Sequence, residues 1–299
     1  MTDPKTLKLM TKKTLAALAL ASLAAAASAC GAGRERAAGP ATPAPEATVE
    51  SHVPSGFKPS AEKARDAGDF KYEYGAVKNE KFAGWRREMM EERVLEEIAG
   101  ELNNQLALPE DVTISFDECG EVNAHYDPEK HRVSICYELM EDLYRVFGDE
   151  AETEEELDDA VVGATTFVFF HELGHALVHV LKLPITGREE DAVDQLSTFL
   201  LADGTESGES SALDAARSFY ADAEEEGADD LSYWDEHSLN QQRFYNIICW
   251  VYGQNPERYA SLVGDGVLPE ARAARCGGEY AQIEQSWTTL LRPHLKAGG

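Results

Sequence analysis

The sequence predicts an α+β fold, in which a small antiparallel sheet or hairpin packs on a mainly helical body. Residues 112–116 and 132–136 alternate apolar and polar side chains with the two-residue period of strands. Almost everything after Tyr137 instead has apolar residues at helical spacing. The 299 residues are 43% hydrophobic, enough for a core, which excludes a disordered, collagen-like or polytopic membrane protein.

The first 29 residues have the composition of an export signal. Lysines between positions 5 and 13 precede an apolar run over residues 15–27, which is too short to span a bilayer. The small-residue triplet ending before Cys30 is similar to a bacterial lipobox, although Ala27 stands where lipoboxes prefer leucine. We expect an exported protein of the bacterial cell envelope, anchored to the membrane through a lipidated Cys30. Ordinary secretion and a cytoplasmic protein with an Ala-rich helix are the alternatives.

A tether and one domain are predicted to follow the signal. Residues 30–60 comprise the lipidated cysteine and a stretch of Ala, Pro, Gly, Ser and Glu with hardly a large apolar side chain. Such a stretch cannot bury enough surface to offset its chain entropy, so we expect it to be disordered. Residues 61–299 then form one domain, and they contain no internal repeat.

The elements of this domain follow from local periodicity. Residues 70–74 alternate and predict a strand, and residues 83–106 have helical spacing. Residues 112–116 and 132–136 predict two antiparallel strands, with turn-forming residues at 126–130 between them. Further helices are predicted over residues 138–147, 153–182, 188–203, 210–226, 236–252, 256–263 and 279–295.

The charge of the chain excludes some partners. Asp and Glu number 55 against 27 Lys and Arg, which gives a formal charge of −28. A polyanionic body cannot bind nucleic acid by counterion release, and anionic lipid does not attract it. Acidic runs at 154–156, 224–226 and 229–230 predict solvated faces; a bias toward basic peptides or Ca²⁺ binding are the alternatives. The sequence makes no prediction of oligomeric state.

The cysteines agree with export. Besides Cys30 there are four, an even number that an oxidising compartment favours. Among the three possible connectivities we expect nearest neighbours to pair, Cys119 with Cys136 and Cys249 with Cys276; four buried free thiols are the alternative. The sequence has no CxxC pair, which excludes a zinc ribbon and a thioredoxin-type redox site.

One motif, HExxH, lies inside the predicted helix over residues 153–182. Side chains four apart share a helix face, so His171 and His175 can both ligate one Zn²⁺ ion through an imidazole nitrogen. Glu172 falls beside the metal, where it can take a proton from a metal-bound water. The alternative is a helix with incidental polar residues, but two histidines and a glutamate are costly to bury without a partner.

The next helix supplies candidates for a third ligand. Glu190 and Asp194 are at i and i+4, so Glu190 can bind the metal while Asp194 accepts the outer N–H of a ligating histidine. Glu189 and Asp191 are rivals for the ligand position. Favourable interaction with the helix dipole is the alternative explanation for acidic residues in a first turn.

The pattern HELGHALVH followed by Glu190-x-x-x-Asp194 resembles the gluzincin metallopeptidases, and in its short spacing the ImmA-type peptidases. It is most similar to a family of bacterial metallopeptidases, the domain of unknown function numbered 4344. This resemblance covers nearly the whole domain and implies a zinc peptidase fold, but no substrate. Its other shared segments are Cys119-Gly120, Asn123-Ala124, Tyr126-Asp127, Cys136-Tyr137-Glu138-Leu139, Gly187-Arg188-Glu189-Glu190-Asp191, Glu236-His237-Ser238-Leu239 and Gln242-Arg243-Phe244-Tyr245.

A peptidase also needs a group that stabilises the oxyanion of the tetrahedral intermediate. By analogy with the gluzincins, His237 is the first candidate and Tyr245 the second; packing or helix capping is the alternative for His237. His179 continues the stripe of His171 and His175, but a third histidine of one helix cannot reach the same metal, so packing or an outer contact is expected.

Two remaining histidines, His125 and His131, lie in the predicted hairpin. We expect them at the surface, with substrate contact as the alternative. In zinc peptidases of this pattern the hairpin edge lies over the cleft and pairs with an extended peptide.

Two functions compete. The first is an exported zinc metallopeptidase that hydrolyses peptide or protein substrates, with Glu172 activating a zinc-bound water. The second is a non-catalytic envelope lipoprotein that binds peptides and keeps the metal as a structural site. The intact Glu172 favours the first, because a structural site needs no base beside an open coordination position.

Overall fold

The computed structural model describes residues 65–227 and 231–296. The expected signal peptide, the lipidation site Cys30, the tether and the acidic pair at 229–230 lie outside the described residues. The described chain is mainly helical with one four-stranded sheet, which confirms the α+β class.

The N-terminal part contributes the whole sheet and three helices. The expected single helix over 83–106 is wrong: two helices are separated at Arg93, whose φ of 59° lies in the left-handed region. No glycine or proline marks this break in the sequence. The elements are β1 (Phe70–Tyr74), α1 (Glu80–Glu91), α2 (Val94–Gln105), β2 (Val112–Asp117), β3 (Ala124–Asp127), β4 (Arg132–Cys136) and α3 (Tyr137–Phe147).

The sheet is mixed and not purely antiparallel, with strand order β1-β2-β4-β3. The expected antiparallel pairing of residues 112–116 with 132–136 is wrong, because β2 pairs with β4 in parallel. The expected turn exists, but it joins β3 to β4, and Asp127 accepts hydrogen bonds from the backbone N–H groups of Glu129 and Lys130. As the last strand in this order, β3 forms one edge of the sheet.

Helices make up the rest of the described chain. The expected helix over 236–252 begins at Asn240, so His237 lies in the preceding loop, and the expected helix over 279–295 begins earlier, at Glu270. The elements are α4 (Glu154–Leu181), α5 (Glu189–Leu201), α6 (Glu206–Glu225), α7 (Asn240–Gln254), α8 (Ala260–Gly264), α9 (Glu270–Leu291) and a 3₁₀ turn (Arg292–His294).

Helix α4 is the centre of the fold. It begins at the N-cap Thr153, whose hydroxyl accepts the N–H of Glu156, and ends at Lys182 in a left-handed conformation. It packs against α3, α5 and α6 and against strands β3 and β4. Its length and composition would allow it to cross a membrane, but 89% of its most apolar window is buried inside the fold. Its apolar character therefore fits a core helix.

Two disulfides are present, Cys119–Cys136 and Cys249–Cys276, which confirms the nearest-neighbour pairing. The first holds the loop before β3 against the end of β4. There the Glu138 carboxylate also accepts the backbone N–H groups of Cys119 and Gly120, at 3.1 and 2.7 Å. The second disulfide links α7 to α9.

Candidate metal centre

The HExxH motif brings two imidazoles together on one face of α4. The Nε2 atoms of His171 and His175 are 3.3 Å apart. Glu172 lies beside them and is 7% exposed. Gly174 lets α5 approach this stretch closely, because a Cβ at this position would lie only 2.8 Å from two carbons of Val193.

Helix α5 places the Glu190 carboxylate between the two imidazoles. Its Oε2 is 3.0 Å from His171 Nε2 and 3.3 Å from His175 Nε2. Ligand atoms about 2.0–2.1 Å from a tetrahedral zinc ion are roughly 3.3 Å apart. The mutual separations of these three donor atoms therefore fit one Zn²⁺ ion.

Both histidines direct their other ring nitrogen at a carboxylate of α5. His171 Nδ1 is 2.8 Å from Asp194 Oδ1, and His175 Nδ1 is 2.8 Å from Glu189 Oε1. When each Nδ1 carries the proton and donates it, each Nε2 keeps its lone pair for a metal. The sequence identified Asp194 for this role, but it offered Glu189 only as a rival ligand.

The loop that precedes α7 brings His237 to the same place. Its Nε2 is 3.0 Å from Glu190 Oε2, and donor atoms of His171, Glu190 and His237 all lie within 4.8 Å of one another. Asp235 Oδ1 accepts the backbone N–H of His237 at 2.8 Å and lies 3.1 Å from its Nδ1. The ring of His237 is thus held by carboxylates on both sides.

Two further bonds fasten this loop to the beginning of α5. Arg188 Nη1 donates to the backbone carbonyl of His237 at 3.3 Å. The Ser238 hydroxyl donates to Asp191 Oδ1 at 2.6 Å. Asp191, the other rival for the ligand position, therefore holds the loop.

Tyr245 and His179 make other contacts. Tyr245 packs on Phe244 and lines a groove of about 360 Å³ together with Ser238. His179 Nδ1 is 2.9 Å from the hydroxyl of Tyr126, so this histidine links α4 to strand β3.

The two hairpin histidines occupy different positions. The ring of His131 lies 5.4 Å from that of His179, where the turn ends. His125 is exposed on the edge strand β3.

Burial and ion pairing shift the ionisation of the cluster. Burial raises the pKa of Glu172, which is the direction expected of a general base. Although burial alone would raise it, hydrogen bonds from His171, His175 and His237 hold the pKa of Glu190 well below its usual range. Burial opposes protonation of His175, but its bonds to Glu190 and Glu189 raise its pKa to about 9. Protons and a metal therefore compete for these donors.

Two residues that sequence reasoning did not assign complete the surroundings. Asp235 orients His237, and the guanidinium of Arg243 donates to both oxygens of Asp194. The spacing of Asp235, two positions before His237, is the one signal that would have suggested its contact. Arg243 gives no such signal, because its contact depends on how α7 crosses α5.

An HExxH helix whose histidines meet a glutamate of the following helix is the arrangement found in zinc metallopeptidases. The chain matches the sequence profile of DUF4344, the family described as "Putative metallopeptidase", over residues 74–291. It therefore belongs to this family. No curated protein and no solved structure gives a significant match.

Proposed function

We propose that this member of the family is a zinc-dependent metallopeptidase that hydrolyses peptide bonds. The observation that carries the proposal is the set of three donor atoms, 3.0–3.3 Å apart, beside a buried glutamate that is not one of them. The profile match to a metallopeptidase family supports it.

His171, His175 and Glu190 would hold the metal. A zinc ion supplies a Lewis acid that polarises the scissile carbonyl and lowers the pKa of a water. Glu172 takes the proton of the attacking water and returns it to the leaving nitrogen, a task that its raised pKa favours.

His237 is proposed to stabilise the oxyanion. Both ring nitrogens face carboxylates, Nε2 toward Glu190 and Nδ1 toward Asp235, and hydrogen bonding to Glu190 is the main cause of its raised pKa. With Glu190 bound to a metal, the Nε2–H of a protonated His237 would be free to donate to the developing oxyanion, while its Nδ1 stays with Asp235.

The substrate is proposed to be an extended peptide that adds to the edge strand β3. This strand packs against α4, the helix that carries the HExxH motif. Among the described residues no further strand pairs with its outer edge, which leaves backbone groups for β-augmentation.

We also propose that the protein is exported and held in the bacterial cell envelope by a lipid on Cys30. The two disulfides support export, because such bonds persist in oxidising compartments.

A Glu172→Gln variant tests the proposed chemistry. The amide cannot accept a proton, so turnover of a peptide library should be lost while zinc content and melting temperature stay near those of the wild type. Glu141→Gln is the control, because Glu141 is an exposed helix residue paired with Lys81 and should leave all three measurements unchanged.

The wild-type protein decides between the two functions. If it shows no zinc-dependent cleavage above the Glu172→Gln background, once bound inhibitors are excluded, the peptidase proposal fails. A non-catalytic peptide-binding lipoprotein with a structural metal would then take its place.

A further inference from the structure

A largely buried arginine lies behind the candidate metal centre and contacts it through Asp194. Arg243 of α7 donates from Nε to Asp194 Oδ2 and from Nη2 to Asp194 Oδ1, both at 2.8 Å. Its side chain is 13% exposed and that of Asp194 5%. A two-pronged contact of this kind fixes the plane of the carboxylate as well as its position.

The arginine is itself held in place. Its guanidinium carbon lies 3.8 Å from the ring centroid of Phe219 on α6. Helices α5, α6 and α7 therefore meet at Arg243, and a cation over an aromatic face is favourable when it is desolvated.

Asp194 connects Arg243 to His171 of α4. Its Oδ1 accepts from Arg243 and also lies 2.8 Å from His171 Nδ1. The carboxylate cannot rotate toward or away from the imidazole without giving up the bonds to Arg243. The ring of His171 is consequently fixed, and with it the direction of Nε2.

We propose that Arg243 is a positioning residue that sets the direction of the His171 Nε2 lone pair through Asp194, and that zinc affinity depends on it. The proposal rests on the proposed zinc site. Changes in the outer partners of a ligating histidine typically weaken metal binding by about 10- to 100-fold.

The test is zinc affinity, measured by competition with a chromophoric chelator. Arg243→Met keeps much of the side-chain volume and removes the charge and the donors, so its zinc dissociation constant should rise by about 10- to 100-fold. Asp194→Asn should show a loss of the same order. If Arg243 acts through Asp194, the double variant should bind zinc no more weakly than Asp194→Asn alone.

Arg217→Met is the matched control. Arg217 also pairs with an aspartate, Asp214, and lies over an aromatic ring, that of Phe147, but none of its contacts among the described residues is with a histidine. Its zinc dissociation constant should stay within about twofold of the wild type, even where the metal-free protein melts at a lower temperature.

Three outcomes contradict the proposal. An unchanged zinc affinity in folded Arg243→Met would mean that Arg243 only packs. Additive losses in the double variant would mean that Arg243 does not act through Asp194. If Arg243→Met does not fold, Arg243→Lys replaces it, since lysine keeps the charge but lacks the paired donors of the guanidinium; an unchanged zinc affinity in Arg243→Lys would also mean that Arg243 only packs. Absence of zinc binding by the wild type contradicts the metal site itself.

Discussion

The first turn of α5 places three carboxylates in succession, and each contacts a different group. Glu189 Oε1 lies at the outer nitrogen of His175, Glu190 Oε2 lies among three imidazoles, and Asp191 accepts from the Ser238 hydroxyl. All three also interact favourably with the positive end of the helix dipole. Dipole interaction alone does not distinguish them, whereas their contacts do.

These contacts predict three different effects on zinc binding. Glu190→Ala removes a ligand and should weaken zinc binding by more than about 100-fold, beyond the usual effect of an outer partner. Glu189→Ala should weaken it by about 10- to 100-fold, and Asp191→Ala by less than either. Elemental analysis with chelator competition measures all three. Full zinc occupancy in Glu190→Ala together with loss of zinc in Glu189→Ala would mean that Glu189, and not Glu190, is the ligand.

The site residues differ in how far the sequence alone could predict them. His171, Glu172 and His175 follow from spacing on one helix, and Asp194 follows from its spacing to Glu190 on the next. The contacts of Glu189 and Arg243 depend on distances between helices, which local periodicity does not contain.

The position of His237 likewise could not be predicted from local periodicity, because it depends on where helix α7 begins. Its expected helix begins three residues later, at Asn240, and the backbone N–H of Leu239 donates to the side chain of Gln242. The apolar spacing gave no signal for this boundary. The loop, and not a helix face, brings His237 to the candidate metal centre.

At the scale of elements, the close approach of α4 and α5 depends on Gly174. A Cβ there would overlap Val193, so Gly174→Ala should push the helices apart and cost about 1–3 kcal/mol of unfolding free energy. Because Glu190 lies on α5, zinc affinity should fall together with stability. Denaturant unfolding and chelator competition on the same samples measure both effects.

Gly100→Ala is the control for Gly174→Ala. Gly100 lies within α2, with nothing within 4 Å of where its Cβ would be. Alanine should stabilise that helix by about 0.5–1 kcal/mol and leave zinc affinity unchanged. If Gly174→Ala also stabilises the protein and keeps its zinc affinity, the helices do not need this close contact.

The sheet shows which elements local patterns can and cannot predict. Alternating apolar residues predict the strands over 112–116 and 132–136. Strand β3, with the sequence AHYD, contains one large hydrophobic residue, so the pattern does not predict it as a separate strand. The pattern therefore joins β2 to β4 through the turn, whereas in the structure β4 lies between β2 and β3 and pairs in parallel with β2.

The contact between α4 and α6 contains a buried acid that makes stability depend on pH. Asp214 of α6 is 8% exposed and lies against Gly163 of α4. Burial raises its pKa to about 7, although the charge of Arg217 opposes this. The folded chain thus binds this proton more tightly than the unfolded chain, whose aspartates have a pKa of about 3.9.

The contribution of Asp214 to stability should consequently fall as the pH rises from about 4 to about 7, and this loss is complete above that range. Asp214→Asn removes the titrating group, so its stability relative to the wild type should increase over the same interval, by up to about 4 kcal/mol. Urea unfolding at pH 5 and pH 8 measures the difference in unfolding free energy between Asp214→Asn and the wild type. Asp149→Asn, at an exposed position, is the control. If the difference for Asp214→Asn does not change with pH, the prediction is contradicted.

At the scale of the whole molecule, charge and disulfides bear on where the protein works. With a formal charge of −28, the chain has no electrostatic attraction for an anionic membrane. Both disulfides lie within the described fold, one beside the edge strand and one between α7 and α9. An oxidising compartment would preserve them, while membrane attachment would require a separate anchor.

A lipid on Cys30 is the anchor that the sequence predicts, and Cys30→Ser tests it. The wild type, expressed in a bacterium, should incorporate a radioactive fatty acid, lack its first 29 residues and sediment with membranes. Cys30→Ser should lose the label, and its form without the first 29 residues should leave the membrane fraction, because an acidic chain has no electrostatic attraction for anionic lipid. Its zinc content should be unchanged, since position 30 precedes the described fold. Label that survives in the variant, or an intact Met1 in the mature wild type, contradicts the anchor.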